Sequence, residues 1–155
     1  MLLLLDIDGV MVPANSWKKP EFLADGFPAF SNNATDALQK IIIETNANIV
    51  LTTSHKFNYT LEQWNDIFKT RGIKVDNISR LPENKDYLSR KNEILNWLHL
   101  TKNSVENFII IDDDKSLNGL PKNIKDRLIQ TNAMIGLTNE LAEESLKLPN
   151  SLELV

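Results

Sequence analysis

Two short apolar runs each end in aspartates. Leu2-Leu3-Leu4-Leu5 runs into Asp6-Ile7-Asp8-Gly9-Val10, and Phe108-Ile109-Ile110-Ile111 runs into Asp112-Asp113-Asp114. An apolar run this short, bounded by polar residues, reads as a strand covered on both faces, as in a parallel sheet. Open α/β sheets place their ligand sites at the carboxyl ends of such strands. If the two strands are neighbours, four or five carboxylates crowd one crevice. Like charges at contact distance do not all stay ionised without a counter-charge. Oxygen-only ligands suit a hard divalent cation and favour Mg2+, although carboxylates alone do not separate Mg2+ from Mn2+.

The rest of the chain is ordinary for a globular protein. At 155 residues it reads as one domain spanning 1–155, large enough for its own core. A net charge of -4 gives no global sign of a nucleic-acid or membrane partner. Cysteine is absent, which excludes disulfides and Cys-ligated zinc and fits a reducing, cytoplasmic location. Met1-Leu2-Leu3-Leu4-Leu5 lacks a basic flank and is interrupted by Asp6 and Asp8, so it reads as the first strand rather than a signal peptide. No segment approaches membrane-spanning length.

Residues 11–32 hold Pro13, Pro20, Gly26 and Pro28, too dense a set of breakers for a long regular element. Asn33 is a candidate N-cap with Asp36 in the first turn, and Ala34, Ala37, Leu38 and Ile41 recur at helical spacing. A strand at Asn48–Leu51 ends in Thr52-Thr53-Ser54. Thr60-Leu61-Glu62-Gln63 is a capping-box pattern opening a helix that stops near Gly72. Ile73-Lys74-Val75 suggests a short strand. Ser89 caps a helix with Ile94, Leu95, Trp97 and Leu98 inward, Leu128–Thr131 suggests a last strand, and Thr138 caps a closing helix. This alternation predicts a three-layer α/β/α, Rossmann-like domain with a mostly parallel sheet and the first strand near its centre.

Several side chains carry candidate chemistry. Asp6 and Asp8 at i and i+2 on a strand point the same way. Gly9 permits a sharp exit from the strand. Hydroxyls of Thr52, Thr53 and Ser54 can donate to a phosphoryl oxygen. Lys91, in the first turn of its helix, opposes the macrodipole and so points to an anionic partner, and Arg90 stands beside it. Of the three acids at 112–114, alternation lets at most two share a crevice. Asp112 and Asp113 are preferred as metal ligands, with Asp114 read as a loop acid.

Apolar strand–DxDGV, apolar strand–Thr, a helical Lys, then apolar strand–DD is an ordered set that resembles the haloacid dehalogenase (HAD) superfamily. The resemblance runs through Asp6-Ile7-Asp8-Gly9-Val10, Leu51-Thr52-Thr53-Ser54, Lys91 and Ile110-Ile111-Asp112-Asp113. It implies a phosphomonoester hydrolase with Asp6 as nucleophile and an aspartyl-phosphate intermediate. It implies Asp8 as general acid and then base, Thr53 on the phosphoryl group, and Lys91 pairing with Asp6 and phosphate. Mg2+ would lie among Asp6, the Asp8 carbonyl and Asp113, with Asp112 close by. Thr52 in place of Thr53, Arg90 in place of Lys91, and an Asp113-Asp114 register remain open. In this family a second aspartate such as Asp8 marks phosphoryl transfer rather than dehalogenation.

Neither gap between the motifs has room for a large cap, and capless members have open sites that suit large substrates such as phosphoproteins or nucleic-acid ends. Trp17, Lys18 and Lys19 after the first motif, and His55, Lys56, Phe57 and Tyr59 after the second, supply basic and aromatic side chains for a nucleotide or polyanion. A non-catalytic binding module is the competing reading. A phosphoacceptor receiver ranks below both, because its lysine would follow the last acidic strand rather than precede it.

Overall fold

A computed structural model describes residues 1–14, 19–101 and 107–148. Its centre is a five-stranded sheet in the order β3-β2-β1-β4-β5, with every pairing parallel. The strands are β1 (Leu2–Leu5), β2 (Asn48–Leu51), β3 (Ile78–Arg80), β4 (Phe108–Asp112) and β5 (Leu128–Gln130). Leu5 is level with Leu51 on one side and Ile111 on the other. One step further on, Asp6 therefore comes level with Thr52 and Asp112 at the carboxyl edge of the sheet.

Helices α1 (Asn32–Thr45), α2 (Leu61–Thr70) and α5 (Asn139–Leu146) cover one face. The other carries α3 (Arg90–Thr101), a 3-10 turn (Lys115–Gly119) and the short α4 (Lys122–Lys125). Leu3, Leu5, Ile109 and Ile111 point to the first face, and Leu4, Val50 and Ile110 to the second. Burial on both faces is why these strands read as unbroken apolar runs. Each fully buried Leu or Ile contributes about 1.5–3 kcal/mol.

Local signals set most of the helix starts. Thr60 and Gln63 cap each other at α2, the Ser89 Oγ accepts from Asn92 N at 3.2 Å, and Thr138 accepts from Leu141 N. The sequence placed the start of α1 two residues late. Ser31, not Asn33, is the N-cap, accepting from Ala34 N at 3.1 Å, and Asp36 lies beyond the first turn. The strand expected at 73–75 is also displaced. After Gly72 (φ 80) Ile73 plugs into the core, Lys74 N donates to Gln39, and pairing with β2 begins only at Ile78.

Arg71, just past α2, pins the irregular segment that follows the first motif. Its guanidinium donates to Asp25 Oδ2 at 2.6 Å, Phe27 O at 2.8 Å and Pro28 O at 3.0 Å, and stacks on the rings of Phe27 and Phe30. The Arg71 hydrogen bond holds the Asp25 carboxyl below its ordinary range. Among the described residues, no helix is long and apolar enough to cross a membrane.

Candidate active site

The end of β1 separates the two first-motif aspartates. Ile7 O accepts from the amides of Val10, Met11 and Val12, and Gly9 N donates to Val12 O, so the chain turns immediately after Asp6. Asp6 and Asp8 are therefore set by a turn rather than by an extended strand. Asp6 is 5% exposed, while the Asp8 side chain is 59% exposed. Gly9, at φ 80, is required here because a Cβ would stand 2.3 Å from Asp113 Oδ2.

Asp6, Asp112 and Asp113 form one cluster, with a carboxylate oxygen from each within 4.8 Å of the others. Asp112 is held from both sides. Its Oδ1 accepts from Asp114 N at 3.0 Å, and its Oδ2 accepts from Arg90 Nη1 at 2.6 Å and Thr52 Oγ1 at 3.2 Å. Asp114 points away and caps the 3-10 turn through Ser116 N. Burial, the Asp112 charge and a hydrogen bond with Asp113 push the Asp6 carboxyl up to about 9, against the opposing pull of Arg90 and the Ile7 amide. Burial likewise raises Asp112, despite its bond to Arg90.

Among the described residues, Arg90 is the cation that reaches this cluster, with Nη1 3.5 Å from Asp6 Oδ1. Burial alone would lower its guanidinium, but Asp112 and Asp6 outweigh it and hold it above its ordinary value. Glu93 lies 3.8 Å from Arg90 Nε and is itself paired with the buried Lys56 at 3.0 Å. Arg90 Nε is buried and, among the described residues, has no hydrogen-bond partner. The Lys91 side chain instead runs along Gly119 of the 3-10 turn. Of the two threonines, Thr52 faces the acidic cluster, while Thr53 Oγ1 accepts from His55 N at 3.2 Å.

His55 contacts the exposed aspartate. Its Nε2 lies 2.8 Å from Asp8 Oδ2, and its Nδ1 lies 3.1 Å from Asn58 Nδ2. The two contacts hold the imidazole between Asn58 and Asp8. On its other side Asp8 borders an open cleft of about 1000 Å³ that also involves Pro13, Lys19, Pro28, Phe30 and Asn32. Trp17 and Lys18 lie outside the described residues. Lys56 and Tyr59 are not free for a polyanion. Lys56 is buried on Glu93, and Tyr59 packs edge-on against Phe27 and Trp64.

The donor set fits a divalent cation. All three clustered groups are carboxylates and a guanidinium faces them, and the raised Asp6 carboxyl reflects negative charge that a bound cation would offset. Residues 2–142 match the family described as the HAD domain in Swiss Army Knife RNA repair proteins. The chain belongs to that family. No curated protein matches this HAD domain. Among solved structures, it is similar to D,D-heptose 1.7-bisphosphate phosphatase from B. bronchiseptica, complexed with magnesium and phosphate. Identity is 14% and the TM-score 0.48, over 94% of this chain and 98% of that one.

Proposed function

We propose that this HAD domain is a divalent-metal-dependent phosphomonoesterase acting on terminal phosphates of RNA. The observation that carries the reading is the division between its first-motif carboxylates: Asp6 buried among acids and beside Arg90, Asp8 open to solvent and steadied by His55. The RNA substrate is supported by the family description and by a site bordered by an open cleft.

In this mechanism an Asp6 oxygen attacks phosphorus as the bond to the leaving oxygen breaks. Asp8 gives its proton to that oxygen. His55 occupies Asp8 Oδ2, which leaves Oδ1 for the leaving group. A water then attacks the phosphoryl-aspartate, Asp8 takes its proton, and inorganic phosphate departs with Asp6 regenerated. In this reading Arg90 meets the charge that develops on the phosphoryl oxygens, while the Thr52 hydroxyl donates to Asp112 and helps hold that carboxylate in place. Mg2+ held by Asp6 and Asp113, with Asp112 behind, would supply neutralisation of the negative charge that otherwise repels phosphate.

The test is phosphate release from oligoribonucleotides phosphorylated at either end, and from an aryl phosphate. Each is measured with Mg2+ or Mn2+, with EDTA, and with Asp6→Asn. Metal-dependent release lost in the variant supports the reading. No release from any substrate, together with no thermal shift from Mg2+ or BeF3-, sinks it.

A further inference from the structure

We propose that Phe57 is a stacking platform for a base of a single-stranded RNA end, backed by Arg80 and set beside Asp8 by the His55–Asn58 turn. The inference rests on the proposed action at RNA ends. Phe57 is 47% exposed. A lone exposed apolar residue is ordinary, but this ring is built into a support. The Arg80 guanidinium carbon lies 4.1 Å from its centroid. Arg80 Nη1 donates to Lys56 O at 2.8 Å and Tyr59 O at 2.9 Å, which fixes the guanidinium in place. The loop beneath is anchored as well, because Trp64 Nε1 donates to Lys56 O at 3.0 Å and Lys56 Nζ is buried on Glu93.

A cation on one face of the ring leaves the other face for a ligand. Bases stack on such faces with little regard to sequence, and guanidinium planes add to the attraction. Position supplies the second argument. Asn58 N donates to His55 O at 2.8 Å to close the turn, and His55 reaches Asp8. Two residues along a chain separate Cα atoms by at most about 7 Å. Phe57 therefore lies within two residues of the side chain that holds Asp8, close enough to serve the same bound strand end. A single strand suits the platform better than a duplex, whose interior bases already stack on each other.

The test is binding of a fluorescent single-stranded oligoribonucleotide to the full chain in EDTA, where no turnover interferes, with the same sequence as a blunt duplex for comparison. Phe57→Ala is expected to weaken single-strand binding about tenfold. Phe57→Trp should retain binding and show quenching of tryptophan emission beyond that of the native protein. Melting curves establish that both variants fold. Equal affinity of Phe57→Ala and native protein, or no preference for the single strand, overturns the proposal. Phosphate release from the aryl phosphate is followed in parallel with Mg2+. Phe57-dependent binding without any turnover would support the platform while removing the catalytic reading.

Discussion

Asp6 is pushed up to about 9, so without metal its carboxyl keeps a proton at neutral pH that the unfolded chain, near 3.8, has already released. The native state binds the extra proton, and stability from this group therefore falls as pH rises from about 4 to about 9. In EDTA, the melting temperature should decline across that window, and Asp6→Asn should flatten the decline. Equal slopes in the two proteins would contradict the burial of Asp6 among acids. Gly9→Ala makes a second test. It adds strain of about 1–2 kcal/mol at a left-handed φ and drives a methyl into Asp113. Urea denaturation should show the loss, and a thermal shift with Mg2+ should show weakened metal binding. Both acidic clusters were visible in the sequence because each follows a strand-length apolar run. Which cation meets them was not. Successive side chains on a helix diverge by about 100°, and here it is Arg90 that contacts the cluster while Lys91 lies along Gly119. The phase is set by Ile94, the buried residue of α3 four places after Arg90. Leu95, Trp97 and Leu98 also pack inward, as the sequence suggested, but only Ile94 is fully buried, so the apolar pattern alone did not fix that phase. The His55 contact with Asp8 had no sequence signal beyond its place after the second motif.

Elements were legible where chemistry is local and obscure where pairing is distant. The α2 capping box and the Ser89 and Thr138 caps each satisfy amides within three residues, and the sequence displays them directly. β3 is an edge strand of Ile-Ser-Arg, with one buried residue and only β2 to pair with. Its pattern is weaker than that of Ile73, which is apolar because it plugs the core from a loop. The segment after the first motif depends on a partner still further away. Arg71 crosses more than forty residues of sequence to bind Asp25, Phe27 and Pro28. Its side chain is 3% exposed, and Arg71→Ala removes the donors to Pro28 O and one of the two donors to Phe27 O, the other being Leu23 N. We expect a loss of about 2 kcal/mol in urea denaturation and faster proteolysis within residues 19–30. Arg71→Lys should recover little, because one ammonium cannot span three acceptors and two rings. Wild-type resistance to protease in Arg71→Ala would show that the segment is held by its apolar contacts alone.

At the scale of the whole molecule, the site exists because β1 lies between β2 and β4, which bring Thr52 and Asp112 from distant parts of the chain to Asp6. No single run contains that order. It followed from the alternation of strands and helices and from the family resemblance, and the register then fixed which residues meet. The same assembly gathers acids that repel one another, so a cation that binds only the folded cluster should stabilise the entire fold by mass action. At a hundredfold excess over its dissociation constant the gain is about 2.7 kcal/mol. For a chain of this size that corresponds to about 5–10 °C in melting temperature. Asp113→Asn removes one of the clustered carboxylates while leaving the Arg90–Asp112 contact intact, and should abolish most of the shift. Sodium chloride at matched ionic strength is the control, because screening relieves surface repulsion without filling a site. A shift of the same size with sodium, or one that survives Asp113→Asn, would mean that Mg2+ acts on the net charge and not on the cluster at the end of β1.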